Sequence, residues 1–384
     1  MRYRKLGKTG LRVSEIGLGG EWLERHSTEE CKEIIDTCAA EGINILDCWM
    51  SEPNVRTNIG AALVGQRGKW IVQGHIGSTW QNGQYVRTRQ LDAVKAGFED
   101  LLTRLQTDYI DLGMIHFVDE LSELEQVLHS DFIDYVHQLK ENGTIRHIGL
   151  STHNPAVAKA AALSGVVEMI LFSVNPAFDM MPPTEDLNQY FVPQYEEALH
   201  GIAPEREELY RLCEQRGVGI TVMKGYMGGR LFIAADSPFG VALTPVQCLH
   251  YALTRPAVAS VMVGYDTPEH VHAAVAYETA TDAEKDYATV LASAPQHAYS
   301  RGQCTYCGHC APCPNHIDIA MVGKLYDMAT LHSEMPATLR EHYHSLTSNA
   351  ADCVDCGDCE TRCPFGVKII ERMQSTKALF GTKE

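Results

Sequence analysis

Apolar and polar positions alternate between two textures from residue 15 to about residue 277: short, nearly continuous apolar runs, and longer stretches with apolar residues at helical spacing. A strand buried on both faces gives the first texture and a helix lying on a sheet gives the second, so the chain reads as βα units around a parallel sheet. Eight runs qualify as strands, at residues 15–19, 43–47, 70–75, 109–116, 145–151, 169–174, 219–223 and 259–264. Helices are predicted at 28–40, 89–105, 124–141, 155–163, 205–216, 245–253 and 268–277, several of them opened by a Thr, Asn or Pro start signal. Eight such units predict an α/β fold, the (β/α)8 or TIM barrel. The first ten or so residues alternate in strand fashion and predict a hairpin closing the barrel bottom.

Two segments break the rhythm. Residues 176–204 carry Pro176, Pro182, Pro183 and Pro193 with Tyr190, Phe191 and Tyr195, too long for an ordinary connection. They read either as a lid over the barrel top or as a plain packing loop. Residues 294–303 are polar, with Pro295 and Gly302, and read as a linker. The chain thus divides into a barrel domain at 1–293 and a second domain at 294–384.

That second part holds two cysteine runs: Cys304, Cys307, Cys310 and Cys313-Pro314, then Cys353, Cys356, Cys359 and Cys363-Pro364. Three thiolates at every third position can hold three corners of one cubane. In the ferredoxin run C-x2-C-x2-C-x3-C-P the fourth cysteine ligates the other cluster. The crossover assigns Cys304, Cys307, Cys310 and Cys363 to one 4Fe-4S cluster, and Cys353, Cys356, Cys359 and Cys313 to the other. Structural zinc, which usually takes separated cysteine pairs, fits the triples less well. The first run is one residue shorter before its proline. Helical stretches at 319–328 and 337–346 separate the runs, which predicts a small helical dicluster, ferredoxin-like domain.

Composition narrows the setting. The chain has 384 residues, 45% hydrophobic, enough for one large core and a smaller one. A formal net charge of -17 gives no electrostatic footprint for a phosphate backbone, so no nucleic acid partner is expected. The opening MRYRKLGKTG lacks an apolar h-region, and the apolar stretch near 166–174 is too short to span a bilayer. No membrane association and a cytoplasmic location are expected. Cysteines outside the two runs (Cys31, Cys38, Cys48, Cys213 and Cys248) are expected to be small core residues.

The segments YRKLGKTGLRVSEIGLGG, GINILDC, DYIDLGMIH, IRHIGLSTHNP and SVMVGYDTPEHV together resemble the aldo/keto reductase family, in the subgroup with a C-terminal ferredoxin-type extension. The resemblance spans essentially the whole chain. It implies a (β/α)8 barrel, carbonyl reduction with a nicotinamide cofactor, and an Asp, Tyr, Lys and His at the site. Asp47 and His116 match the family Asp and His. Ser51-Glu52-Pro53 stands where the family Tyr falls, and His75 stands at the Lys position. Of the cofactor positions the resemblance implies, Ser151 is retained, while Leu171 and Met223 replace the Gln and the stacking Tyr. Asn175, Gly229, Arg230 and Gly264 are expected to serve the cofactor, and Asp266 stands where NADP users tend to carry a basic residue.

What remains can still move protons. His75, His116 and Asp47 all fall at the carboxyl ends of neighbouring predicted strands, where barrel enzymes place their chemistry, and histidine titrates near neutral pH. They are the expected catalytic set; the bland reading is a hydrogen-bonded histidine at a strand end. Tyr85 could supply the missing acid, and Lys224 could pair with an anion of cofactor or substrate. Three readings follow: an iron–sulfur oxidoreductase acting on a small-molecule substrate, with an external donor such as a ferredoxin or flavodoxin and with NAD, a flavin or nothing in the barrel; a lyase or isomerase with structural clusters; and an electron carrier with an inert barrel.

Overall fold

The computed structural model describes residues 1–180, 202–292, 304, 310–330, 335, 337–363 and 366–381. All eight expected strands form: β1 Ile16–Gly19, β2 Ile45–Cys48, β3 Ile71–Ile76, β4 Ile110–Ile115, β5 Ile145–Thr152, β6 Met169–Ser173, β7 Gly219–Met223 and β8 Val258–Gly264. They pair in parallel in chain order, and β8 pairs with β1 to close the barrel. A closed parallel sheet leaves no edge, and its outer face is covered by the intervening helices.

The barrel interior is packed. Ile45, Leu112, Met114, Met169, Leu171, Ala259 and Met262 fill it together with Leu6 and Val13. Gly149 makes room for this layer, since a Cβ there would meet the sulfurs of Met114 and Met169 at 2.4 Å. Leu6 and Val13 arrive from an antiparallel hairpin, Tyr3–Lys5 with Arg12–Ser14, which plugs the amino-terminal end as the opening alternation predicts.

The helices depart from expectation at several places, among them short unpredicted helices at Asp282–Lys285 and Tyr287–Ala292. Pro53–Leu63 is a helix that periodicity does not reveal, because Val55, Arg56, Asn58, Ile59, Gly60, Ala62 and Leu63 are all buried. With so much of its surface covered it presents no clear polar stripe. The stretch expected as one helix at 124–141 is two, Leu121–Leu128 and Asp131–Glu141, with His129 and Ser130 outside the helical region. A short antiparallel hairpin, Ser78–Gln81 with Gln84–Arg87, is inserted after β3. Its turn is Asn82-Gly83, both at positive φ, as a type I′ turn requires.

The helices expected in the carboxyl-terminal part form as Ile319–Thr330 and Ala337–Ser345, with Ile369–Phe380 beyond the second cysteine run. Ile319–Thr330 packs on the barrel helix Pro204–Arg216. There Lys324 pairs with Glu214 at 2.5 Å and Arg211 with Asp327 at 3.0 Å, while Arg372 approaches the same Asp327 carboxylate. The expected lid at 176–204 falls largely, and the linker at 294–303 wholly, outside the described residues. The described part of the former includes a short helix, Pro176–Met180.

Candidate active site

The site grows out of three adjacent strands. Asp47 lies on β2 opposite Gln73 of β3. His75 follows two residues along β3 and shares Gln73's face, and His116 stands just past β4. All four are buried. Asp47 Oδ1 accepts from Gln73 Nε2 at 2.7 Å and lies 2.9 Å from His75 Nε2. His75 Nδ1 is 2.8 Å from His116 Nδ1, and His116 Nε2 is 2.6 Å from the Tyr85 hydroxyl. The expected catalytic set is therefore one continuous hydrogen-bonded line, with Tyr85 at its open end.

Connectivity fixes the protons. With a carboxylate at Asp47, His75 donates from Nε2, which leaves Nδ1 to accept from His116 Nδ1–H. His116 Nε2 then accepts from the Tyr85 hydroxyl. Burial holds the His116 imidazole well below its ordinary value of 6.5, reinforced by His75 and by Arg89, Arg87 and Arg56. Burial raises the Tyr85 hydroxyl above 10.0, with Arg87 and Arg89 opposing the rise.

Tyr85 reaches the line because it sits on the inserted hairpin. Ser51 Oγ donates to Thr79 O at 2.7 Å, and Ser78 Oγ donates to Trp49 O at 2.6 Å. Beneath them the buried Arg56 guanidinium donates to Met50 O, Gly97 O and Ser78 O and pairs with Asp100. The loop after β2, where the resemblance expects a tyrosine, instead pins the hairpin that brings one in. The Asn-Gly dipeptide between β-prone residues was the sequence signal for this element.

These groups face a cavity of about 740 Å³ at the carboxyl end of the barrel. Ser151, Lys224, Gly229 and Gly264 line it, as do Leu171, Met223 and Asp266. Ser151 Oγ accepts from Phe117 N at 2.8 Å. Asn175 and Arg230, expected as cofactor contacts, are not among the lining residues. Asn175 is fully buried and donates to Lys224 O while accepting from Phe178 N, so it supports the loop from below. Asp266 lies 3.4 Å from His26 Nε2. Burial draws the Lys224 ammonium below its ordinary value, opposed by Glu21 and Asp119. His153 also lines the cavity, with Nδ1 2.9 Å from Asp119 Oδ2.

In the extension, Cys313, Cys353, Cys356 and Cys359 converge on one hollow walled by Ile317, Ile319, Ile370 and Met373. No three His, Cys, Asp or Glu among the described residues close around a single metal ion. Four thiols spread round an apolar hollow suit a cubane, whose corners lie well apart, better than one ion. Cys304, Cys310 and Cys363 are partly buried against the core nearby, and Cys307 lies outside the described residues. Among the described residues no helix is long and apolar enough to cross a membrane.

Comparison with known proteins agrees with this architecture. Residues 15–244 match the Aldo/keto reductase family and residues 303–368 match a 4Fe-4S dicluster domain. The uncharacterized oxidoreductase YqkF of Bacillus subtilis (strain 168) is 28% identical over 276 residues, covering 69% of this chain and 87% of that protein. Aldo-keto reductase YhdN of the same organism is 29% identical over 164 residues, 39% of this chain and 47% of that one. Among solved structures, aldo-keto reductase AKR11C1 from Bacillus halodurans in its holo form superposes with a TM-score of 0.58 at 24% identity, over 77% of this chain and 98% of that one. With the family matched over residues 15–244 and the barrel and its extension both in place, the chain belongs to the aldo/keto reductase family and is an oxidoreductase carrying a 4Fe-4S dicluster domain.

Proposed function

We propose that this oxidoreductase passes electrons between two 4Fe-4S clusters and a small carbonyl or hydroxyl compound at the barrel mouth, with Tyr85 as the group that protonates the carbonyl oxygen. The observation that carries the reading is the unbroken line Asp47, His75, His116, Tyr85 in the cavity. Cys353, Cys356, Cys359 and Cys313 would hold one cluster and Cys304, Cys307, Cys310 and Cys363 the other. When bound, the clusters would supply one-electron transfer from an external donor such as a ferredoxin or flavodoxin.

The protein's own part is proton management. One proton added to the imidazole pair reverses the last link of the line: His116 then donates from both ring nitrogens, the Tyr85 oxygen accepts, and its own O–H turns toward the cavity. Tyr85 can give that proton to a carbonyl oxygen while His116 reprotonates it, which returns the line to its neutral arrangement; the carbonyl carbon takes a second proton from solvent in the cavity, so that two electrons and two protons complete the reduction. Oxidation of a hydroxyl runs the same path backwards. Asp47 stabilises the charged form through His75, and Gln73, itself accepting from Thr221 Oγ1 at 2.8 Å, fixes Asp47.

The family's nicotinamide arrangement does not fit these residues. Leu171 and Met223 offer neither the carboxamide hydrogen bond nor the ring stack, and the Asp266 carboxylate faces the cavity where a 2′-phosphate would need a cation.

The test uses anaerobically purified protein, reduced methyl viologen as donor and a panel of small aldehydes and ketones. Positioned acid–base groups contribute about a hundred- to ten-thousand-fold, so Tyr85→Phe should lower viologen oxidation by that order with iron and sulfide content unchanged. A Tyr85→Phe protein with near-normal turnover would remove Tyr85 from the mechanism.

A further inference from the structure

The cavity holds a second proton-transfer dyad that the line from Asp47 to Tyr85 does not use. His153 follows β5, beside His116, and its ring lies edge-on to Phe117 at 5.4 Å, while the His116 ring is 6.1 Å from the same Phe117. Both histidines line the cavity. Asp119 is held in place by Thr152 Oγ1 at 2.8 Å and by His153 N at 2.7 Å, with Asn154 Nδ2 donating to Asp119 O at 2.9 Å. Its Oδ2 faces His153 Nδ1 at 2.9 Å, so a carboxylate there makes Nδ1 the protonated nitrogen. Nε2, the nitrogen directed away from Asp119, is then a lone-pair base. A carboxylate that orients a histidine in this way is the usual means of setting a general base.

We propose that His153 is a general base for the bound substrate and Asp119 its positioning residue, and that the barrel mouth enolises α-hydroxy carbonyl compounds without net electron transfer. The inference rests on the cavity being the active site proposed above, and on Tyr85 as its acid. His153 Nε2 takes the hydrogen on the carbon next to the carbonyl as a proton. The C–H electron pair becomes the C=C bond of an enediol, and the carbonyl π pair goes to oxygen, which takes the Tyr85 proton as His116, already carrying the added proton described above, replaces it. One proton leaves the substrate and one arrives, so no oxidant or reductant is needed. The reverse step returns a proton from His153 to carbon, and the substrate class is a small carbonyl compound with a hydroxyl and a hydrogen on the α-carbon.

The experiment follows hydrogen exchange in D2O by proton NMR with the cluster-loaded protein, without any electron donor, using hydroxyacetone, dihydroxyacetone and erythrulose. Exchange confined to one of the two prochiral hydrogens of a hydroxymethyl group is expected, because a base fixed on one wall reaches one face. His153→Asn keeps a side-chain donor near the Nδ1 position but loses the base, so it should slow exchange about a hundred-fold or more. Asp119→Asn should slow it less, and the double variant should be no slower than His153→Asn alone, as expected of residues acting as a unit. Thermal melts and iron content check that both variants fold. No exchange with any of the three ketones, non-selective exchange, or undiminished exchange in a folded His153→Asn protein would each overturn the proposal. Its failure is separable from that of the preceding reading, which is judged by viologen-linked reduction in Tyr85→Phe.

Discussion

In the proposed mechanism His116 is neutral at rest and charged in the act of catalysis, and its surroundings set how far apart those states lie. Burial and the neighbouring His75, Arg89, Arg87 and Arg56 all disfavour the imidazolium. Its folded value thus lies below the ordinary 6.5 that an unfolded chain would show. Between those two values the unfolded state binds the proton and the folded state does not, so stability falls as pH drops below about 6.5. His153, drawn down mainly by burial, acts in the same direction. Urea midpoints measured from pH 7.5 to 5 should fall on acidification, and the fall should be shallower in His116→Gln. An unchanged slope would show that His116 does not titrate abnormally. The sequence alone predicts a pH limb near neutrality for turnover; burial of His116 moves it to the acid side. Asp47, His75 and His116 were legible as a group because strand ends in a barrel point to one mouth. Their order as a relay was not, since it depends on ring rotations that no spacing encodes.

At the level of elements, strands were read more securely than the pieces that serve them. Each strand carries its own apolar run, whereas Pro53–Leu63 is buried too widely to show a stripe, and at Gly60 a Cβ would meet Arg104 O at 2.0 Å. The Asn82-Gly83 dipeptide marks a tight turn, but the spacing alone does not show that the hairpin folds back over the barrel mouth, which is what brings Tyr85 to His116. The amino-terminal hairpin, in contrast, was legible from alternation, and its role is packing. Leu6 is fully buried among Ile45, Leu112, Met169 and the other interior residues, and a Cβ at Gly219 would meet its Cδ1 at 2.6 Å. Deleting a buried leucine leaves both a lost transfer term and a cavity, so Leu6→Ala should cost about 2–5 kcal/mol in urea unfolding. Because Leu6 lies at the end opposite the mouth, turnover of the remaining folded protein should change little. A cost under about 0.5 kcal/mol would mean that the hairpin does not seal the barrel.

For the whole molecule, the question is whether the extension is held together by its metal. The described residues of the extension form helices whose apolar side chains wall the hollow that the cysteines share, so ligation of metal there would add directly to the stability of its fold. The barrel has its own closed sheet and packed interior. Removing iron anaerobically with a chelator should therefore unravel the extension and leave the barrel's far-ultraviolet signal and cooperative melt in place. The crossover gives a sharper outcome. Cys313 shares a hollow with Cys353, Cys356 and Cys359 although some forty residues separate it from the first of them. Cys313→Ser should then damage the cluster of the second run and spare that of the first, lowering iron from about eight to about four per chain. The reduced protein should show the magnetic signature of one isolated cluster in place of a coupled pair. Loss of the cluster assigned to Cys304 and Cys310, with the cluster assigned to the second run intact, would reverse the assignment. The seam of Arg211, Asp327 and Arg372 makes the two halves meet on the helix Pro204–Arg216, so damage to the extension should also expose that helix to faster amide exchange. If exchange there is unaffected when iron is removed, the ion pairs do not couple the extension to the barrel.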